Sequence, residues 1–169
     1  STIISEQSAF PNTFLIELNR GCPNKCAFCN TGHSRGNLRF FDSDNFGEFI
    51  PILKNYDIFN LGFVGSAVLL YPGLYEMLEN LLSQKFRFSF SSINLNQINE
   101  RFIDILKSAN QNTITLAPEV GNSKMQKLIN KIYDYSELLR IIEYAVKSEI
   151  KRLKLYFIYG FEEEDEEDL

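Results

Sequence analysis

Short apolar runs alternate along this chain with longer segments in which apolar residues recur every three or four positions. The apolar runs predict strands at 14–19, 58–64, 86–92, 113–117 and 153–159. The periodic segments predict helices at about 43–55, after Pro72-Gly73, around 102–109, at 123–126 and from Asp134 to about Ile150. Alternating strands and helices with short loops are typical of a parallel sheet covered by helices, which places the chain in the α/β class. Right-handed crossovers would roll this sheet into part of a TIM-like barrel or wind helices onto both of its faces.

The ends of several elements are predicted by single residues. Pro118 is expected to break the fourth strand, because proline lacks the N–H that a sheet ladder needs. Ser123 and Gln126 have the spacing of a capping box for the short helix. Asp134 and Glu137 have a similar arrangement at the start of the longer helix.

The charged residues are distributed unevenly along the chain. The formal net charge is −5, but residues 162–168 are all acidic. Without this run the chain carries a charge of about +2, so no strong overall field would steer it to nucleic acid. The acidic run is expected to form the exposed first turns of a fifth helix, where negative charge suits the helix dipole. The segment 32–42, rich in Gly, Ser, Asn and Arg, is expected to be irregular.

Length and composition limit the class of protein. The 169 residues are enough for one domain with a substantial core. No apolar run approaches the roughly 20 residues of a membrane helix, and no signal peptide is visible at the start. The chain has only three cysteines, and their clustering favours metal binding over a disulfide framework. The expected location is therefore the reducing cytoplasm.

All three cysteines lie in one loop that directly follows the first predicted strand. Cys22, Cys26 and Cys29 have the spacing C-x3-C-x2-C. Thiolates are soft ligands, and three of them this close can hold one metal centre. In parallel α/β folds, ligand chemistry belongs at the carboxyl ends of the strands, where this loop is placed.

Three interpretations of the loop remain open on residue chemistry alone. The cysteines could be incidental, although their clustering argues against it. His33 could complete a Cys3His zinc site with the three thiolates. The thiolates could instead hold an iron-sulfur cluster and leave one iron open to a substrate or cofactor.

The sequence around the cysteines resembles that of the radical S-adenosylmethionine (SAM) enzymes. The segment from Leu15 to Cys29, LIELNRGCPNKCAFC, is similar to a branch that includes tRNA methylthiotransferases, coproporphyrinogen dehydrogenase-like enzymes and cobalamin-associated proteins. The segments 116–131 and 155–164 resemble the fourth-strand and fifth-strand signatures of that branch. The resemblance implies a partial (β/α) TIM-like barrel with about five βα units, in which residues 1–169 are a core domain cut from a longer protein.

The resemblance also implies a chemistry. In this family three cysteines, here Cys22, Cys26 and Cys29, hold a 4Fe-4S cluster, and SAM chelates the fourth iron. One electron cleaves SAM to methionine and a 5′-deoxyadenosyl radical, which abstracts hydrogen from a substrate that these motifs do not identify. The implied partners are SAM and an electron donor similar to flavodoxin or ferredoxin. Cobalamin is a further implied cofactor, held by a domain outside this chain. The alternative is a non-catalytic module that holds zinc or an electron-transfer cluster.

Six residues match positions that bind SAM in the family. Phe28 has the position of the aromatic residue that packs beside the adenine. Gly65 and Ser66 lie where a Gly-Gly-Glu segment binds the methionine amino group, although Ala67 replaces the glutamate.

The other three matches are polar or charged. Ser91 closes the third strand, where polar residues approach SAM, although the nearby Asn94 replaces a frequent arginine. Glu119 follows Pro118 at the end of the fourth strand. Lys131 matches an arginine that clamps the SAM carboxylate; lysine keeps the charge but loses the bidentate fork.

Overall fold

A computed structural model describes residues 4–41, 46–90 and 93–168 of the chain. The strands are β1 (Phe14–Glu17), β2 (Asn19–Arg20), β3 (Arg39–Phe40), β4 (Asn60–Val64), β5 (Arg87–Phe90), β6 (Thr113–Glu119) and β7 (Arg152–Phe157). The helices are α1 (Asn30–Ser34), α2 (Phe46–Asn55), α3 (Leu74–Ser83), α4 (Glu100–Ser108), α5 (Ser123–Leu128) and α6 (Tyr135–Lys147), with a 3-10 turn at Val68–Leu70. None of the helices described is both long and apolar enough to cross a membrane.

The five predicted strands are confirmed as β1, β4, β5, β6 and β7, and all of their pairings are parallel. One sheet has the order β1-β4-β5, and a second pairs β6 with β7. A single parallel bridge between Ile93 and Leu116 lies between the two sheets. The α/β class with parallel strands is therefore confirmed, and in the ranges described the sheets do not close on themselves.

A group of aromatic side chains lies within a largely aliphatic core between the strands and the helices α3, α4 and α6. Phe63, Phe86 and Phe102 are fully buried. The Phe63 ring stacks on Phe90 with 5.4 Å between centroids, and Phe90 meets Phe102 edge-on at 5.0 Å. Aromatic pairs of this kind contribute about 0.5–1.5 kcal/mol each beyond their burial. This packing fixes β4 and β5 against α4.

Side-chain caps start three of the helices. Asp134 accepts hydrogen bonds from the backbone N–H groups of Ser136 and Glu137, which confirms the predicted start of α6. The predicted cap of α5 was wrong by one residue, because Asn122 and not Ser123 accepts from the Met125 N–H. An asparagine serves as well as a serine at this position, so the local pattern fitted both residues.

Two further predictions about element ends were wrong. The segment 32–42 was expected to be irregular, but its first residues lie in α1, and β3 pairs antiparallel with β2. Pro118 does not break the fourth strand, since β6 continues to Glu119. A register shift between Leu116 and Glu119 accommodates the proline, which has no N–H for the ladder.

The acidic run forms turns and not the first turns of a fifth helix, so that prediction was also wrong. The Asp168 carboxylate accepts hydrogen bonds from Lys124 Nζ at 2.6 Å and from Asn122 Nδ2 at 2.8 Å. Phe161, just before the run, packs against the apolar residues of α5 and its flanks. These partners lie more than 30 residues away in the sequence, so local charge patterning could not reveal them.

The Asp168 carboxylate is expected to stabilise the fold above pH 4 and to lose this effect in acid. Its hydrogen bond from Lys124, before its other partners, lowers the pKa of Asp168 from 3.8 to about 2. Because the folded pKa lies below the unfolded one, the stabilisation is complete above the unfolded pKa and disappears as pH falls through the folded pKa. Asp168→Asn should therefore lower the urea midpoint near neutral pH, and its difference from the unmodified chain should vanish between about pH 4 and pH 2.

Asp165→Asn is the matched control, because Asp165 also contacts Lys124 but its side chain is 60% exposed. Its effect near neutral pH should be the smaller of the two. Equal effects of both substitutions would contradict the role assigned to Asp168.

Candidate metal and cofactor site

The cysteine loop leaves the end of β2 and folds tightly over α1. Gly21, just before Cys22, has φ +82°, and a Cβ there would lie 2.5 Å from the Asn37 carbonyl oxygen. A Cβ on Gly32 would lie 2.2 Å from the Asn24 carbonyl oxygen. Only glycine fits these two positions, because both bring backbone against backbone. The loop is therefore held close to the α1–β3 connection at Gly21 and close to α1 at Asn24.

Hydrogen bonds within the loop fix its shape. The backbone N–H of Cys29 donates to the Cys26 carbonyl oxygen at 3.0 Å. His33 Nε2 lies 3.1 Å from the same carbonyl oxygen, and because a carbonyl only accepts, this ring nitrogen donates. Lys25 Nζ donates to the Gly32 carbonyl. His33 therefore stabilises the loop, and its Nε2 binds the Cys26 carbonyl and not a metal.

The loop docks on the chain that follows α5. The backbone N–H of Ala27 donates to the Ile129 carbonyl at 2.8 Å, and Asn130 Nδ2 donates to the Lys25 carbonyl at 2.9 Å. Asn130 has φ +52°, a left-handed conformation that asparagine tolerates better than most residues. The turn that carries Lys131 is therefore tied directly to the cysteine loop.

The three thiols lie in one neighbourhood. All are free; Cys26 is buried at 8% exposure, and Cys22 and Cys29 are half-buried. Burial raises the pKa of the Cys26 thiol; the Lys131 ammonium opposes this rise, and the Cys29 and Cys22 thiols add to it.

The three thiols do not converge on one point as the ligands of a bound metal would. Across 4–41, 46–90 and 93–168, no three His, Cys, Asp or Glu side chains converge closely enough to hold a metal ion. The donor set itself consists of three thiolates on one loop, which is the chemistry of an iron-sulfur cluster with one open iron. The residues present therefore fit such a cluster by donor type, and binding it requires the three sulfur atoms to converge.

Glu119 and Lys131 form an ion pair beside the loop. Lys131 Nζ lies 2.8 Å from Glu119 Oε1, and the side chains are 18% and 12% exposed. Lys131 Nζ also lies 6.0 Å from the centre of the Phe28 ring, whose residue is 41% exposed. Phe28, Glu119 and Lys131, selected from the sequence as SAM-binding candidates, thus lie together next to Cys26.

The backbone at Glu119 is unusual. Its φ is +70°, a region that glycine favours and that costs other residues roughly 1–2 kcal/mol. The Ile158 N–H donates to its carbonyl at 2.7 Å and holds it against β7. Non-glycine residues in this conformation cluster at functional sites.

The remaining sequence candidates lie elsewhere or cannot be placed. Gly65 and Ser66 line a different pocket from the one that contains Cys26 and Lys131. Ser91 falls outside the residues that the structure describes. Whether the candidate residues bind a cofactor stays a prediction.

Sequence reasoning missed the residues that assemble the site. The buried Asn19 amide donates to the Gly21 carbonyl at 3.4 Å and accepts from the Ala67 N–H at 3.4 Å, so it links β2 to the end of β4. Asn130 links the loop to α5 across 105 positions in the sequence. Asn130, four positions beyond the predicted helix at 123–126, was a weak signal of a left-handed turn, but nothing indicated its distant partner.

A comparison with models of known protein families gives a match over most of the chain. The family model described as the Radical SAM superfamily matches residues 16–169, which is most of the chain. The match includes the cysteine loop, Glu119 and Lys131.

Two curated relatives are much longer than this chain. The uncharacterized protein MJ0966 of Methanocaldococcus jannaschii is 28% identical over 169 residues, covering 98% of this chain and 37% of that protein. A tRNA-2-methylthio-N(6)-dimethylallyladenosine synthase of Thermodesulfovibrio yellowstonii is 26% identical over 165 residues, covering 88% and 36%. The chain thus spans little more than a third of the length of these relatives.

Two solved structures share the fold. TsrM from Kitasatospora setae, a radical S-adenosylmethionine methyltransferase solved with cobalamin and a [4Fe-4S] cluster bound, matches with a TM-score of 0.73 and 13% identity, covering 92% of this chain and 32% of that one. The radical SAM enzyme coproporphyrinogen III oxidase (HemN) from Escherichia coli matches with a TM-score of 0.61 and 16% identity, covering 92% and 39%. At these identities the likeness concerns the fold alone.

Breaking the ion pair beside the loop should destabilise the fold. Lys131→Met leaves the Glu119 carboxylate without its cation, which should lower the free energy of unfolding by about 1–3 kcal/mol. Adding Glu119→Gln to that variant should recover part of the loss, because the unpaired charge is then gone. Urea unfolding of Lys131→Met, Glu119→Gln and the double variant measures the coupling.

Lys127→Met, which changes an exposed lysine on α5, is the control and should change stability by less than about 0.5 kcal/mol. If the double variant loses the sum of the two single losses, Lys131 and Glu119 are not coupled.

Proposed function

Because the chain belongs to the radical SAM superfamily, we propose that its cysteine loop holds a 4Fe-4S cluster and that the protein acts as a radical SAM enzyme. One observation carries the proposal: three free thiols share a loop whose buried member, Cys26, lines one pocket with Lys131, and Lys131 contacts Glu119 and Phe28. When bound, a cluster with SAM supplies the reductive cleavage that makes a 5′-deoxyadenosyl radical. The protein positions the reacting groups and excludes water from them.

The ligand set proposed for the cluster is Cys22, Cys26 and Cys29. The hydrogen bonds from Cys29 and His33 to the Cys26 carbonyl hold the loop backbone, so the side chains remain free to point to one centre. Burial of Cys26 keeps water away from that side of the loop. The low-dielectric surroundings strengthen electrostatic interactions at the site.

The proposed SAM contacts are an ion pair, an aromatic ring and three small residues. Lys131 would hold the carboxylate, and Glu119 would keep the lysine oriented until SAM arrives, since their ion pair is already formed. Phe28 would offer its exposed ring to the adenine. The proposed set also includes two residues directly after β4, Gly65 and Ser66, and one residue after β5, Ser91.

The alternative is a non-catalytic metal module. In the Cys3His zinc form of this alternative the metal would bind Nδ1 of His33, because Nε2 donates to the Cys26 carbonyl. An electron-transfer cluster uses the same thiols, and SAM binding separates it from the enzyme.

We further propose how the five strands are arranged in the whole protein and which partners the core uses. Residues 1–169 would form one core domain with the five parallel strands as an arc of a TIM-like barrel, supported by the Ile93–Leu116 bridge between the sheets. A flavodoxin-like or ferredoxin-like donor would reduce the cluster in the cytoplasm, where thiols stay reduced. Cobalamin would bind a further domain, as its presence in the TsrM structure suggests.

Anaerobic reconstitution with iron and sulfide tests the ligand set. The loaded protein should be brown, and with SAM and dithionite it should release 5′-deoxyadenosine. Cys22→Ala, Cys26→Ala and Cys29→Ala should each lose iron and the product.

His33→Gln is the matched control, because its amide can still donate to the Cys26 carbonyl, and it should keep its iron. Zinc, a colourless protein and loss of metal in His33→Gln would favour the Cys3His site. A stable cluster that neither binds SAM nor forms the product would favour electron transfer.

SAM binding to the reconstituted protein tests Lys131. Lys131→Met should weaken SAM binding roughly tenfold, because a charge-assisted contact to the carboxylate is lost. The change in the EPR spectrum of the reduced cluster during a SAM titration reports the dissociation constant. Lys127→Met should bind SAM like the unmodified protein, and an unchanged affinity in Lys131→Met would refute the assignment of Lys131.

A further inference from the structure

A buried asparagine lies between the cysteine loop and the turn that follows β4. Asn19, in β2, is 1% exposed. Together with Gly21, Gly65 and Ser66 it lines one open pocket of about 440 Å³. Gly21 directly precedes Cys22, and Gly65 and Ser66 directly follow β4. The Asn19 amide is therefore placed where the segment assigned to the cluster meets a turn assigned to SAM.

The Asn19 amide packs tightly against Gly65. A Cβ on Gly65 would lie 2.1 Å from Asn19 Oδ1 and 3.0 Å from Asn19 Cγ. Only glycine lets the backbone of the turn approach the amide this closely. Because Asn19 is buried, its side chain has little room to move away. Asn19 therefore fixes how near the turn can lie to β2.

Hydrogen bonds join the same two segments. Asn19 Nδ2 donates to the Gly21 carbonyl at 3.4 Å, and the Ser66 hydroxyl donates to the same carbonyl. Asn19 Oδ1 accepts from the Ala67 N–H at 3.4 Å. The two amide contacts are long for hydrogen bonds, so they add to the close packing of the amide and do not replace it. The peptide group that joins Gly21 to Cys22 and the turn after β4 thus share one set of contacts.

We propose that Asn19 is a positioning residue that sets the place of the Gly65–Ser66 turn relative to Cys22. The inference rests on the proposed function, in which Cys22 binds the cluster and the turn contacts SAM. Both segments would then act on one bound assembly, so a shift between them would separate contacts that must be made together. A misplacement of about 1 Å at such a site can cost roughly a hundredfold in rate.

SAM binding to the reconstituted protein tests the role of Asn19. Asn19→Ala retains the three cysteines and should keep its iron. It should weaken SAM binding about tenfold, because the turn is no longer held against Gly21. The EPR spectrum of the reduced cluster during a SAM titration reports the dissociation constant. Asn19→Ser, whose hydroxyl can still meet one of the partners, is the milder variant and should fall between the two.

Asn99→Ala is the matched control, since it also removes an asparagine side chain that accepts from a backbone N–H. Asn99 caps α4 by accepting from the Phe102 N–H at 3.0 Å. Loss of this cap should lower the urea midpoint of the metal-free chain, as Asn19→Ala should. SAM should nevertheless bind to Asn99→Ala as tightly as to the unmodified protein. The control thus separates positioning from a general loss of stability.

Urea unfolding of the metal-free chain gives a second reading. Gly65→Ala should lower the midpoint, because its Cβ meets Asn19 Oδ1. When Asn19 is already alanine, the further loss from Gly65→Ala should be smaller, since the clash is gone. Strictly additive losses would show that the two residues do not restrain each other, against the proposal.

Three results with the reconstituted protein would also overturn the proposal. The first is unchanged SAM affinity in both Asn19 variants, which would make Asn19 a purely structural residue. The second is equal weakening in Asn19→Ala and Asn99→Ala. The third is loss of iron in Asn19→Ala and Asn19→Ser, which would assign Asn19 to the cysteine loop alone. Failure of the proposed function is a different result, because then the unmodified protein itself would bind no SAM, and the inference would fall with it.

Discussion

The candidate site depends on the docking of the cysteine loop against the turn after α5. Two hydrogen bonds, from Ala27 to Ile129 and from Asn130 to Lys25, join parts of the chain that lie about a hundred positions apart. Without them the loop would keep its own internal hydrogen bonds but lose Lys131 as a neighbour. An ordinary hydrogen bond contributes about 0.5–1.5 kcal/mol net, so the docking is also part of the stability of the fold.

This docking connects the site to the far end of the chain. Asp168 binds Lys124 near the start of α5, and Lys131 lies just beyond the end of the same helix. Gln126, buried in α5, accepts through its backbone carbonyl from the Lys131 N–H at 2.9 Å. A short helix with contacts at both ends restricts the motion of the residues that follow it. The acidic turns therefore help to keep Lys131 in place for its ion pair with Glu119.

The sequence predicted what depends on local pattern and on residue chemistry. Five parallel strands, the start of α6 at Asp134 and the place of the cysteine loop all followed from periodicity, capping and spacing. The acidic turns and the strand through Pro118 were missed because distant partners decide them: α5 for Asp168, and β7 for Glu119. The roles of Asn19 and Asn130 were equally hidden, since a side-chain amide does not indicate which carbonyl it will meet. Tertiary contacts, which sequence reasoning could not see, set the geometry of the site.

The left-handed backbone at Glu119 has a consequence for how this position can vary. Glycine would relieve the local conformational cost, yet it would remove the carboxylate and leave the Lys131 ammonium without its partner. Asparagine would suit the backbone but carries no charge to balance the lysine. Backbone preference and side-chain chemistry therefore select different residues here. A redesign that optimised stability residue by residue would choose against Glu119, and would dismantle the charge pair while improving the backbone.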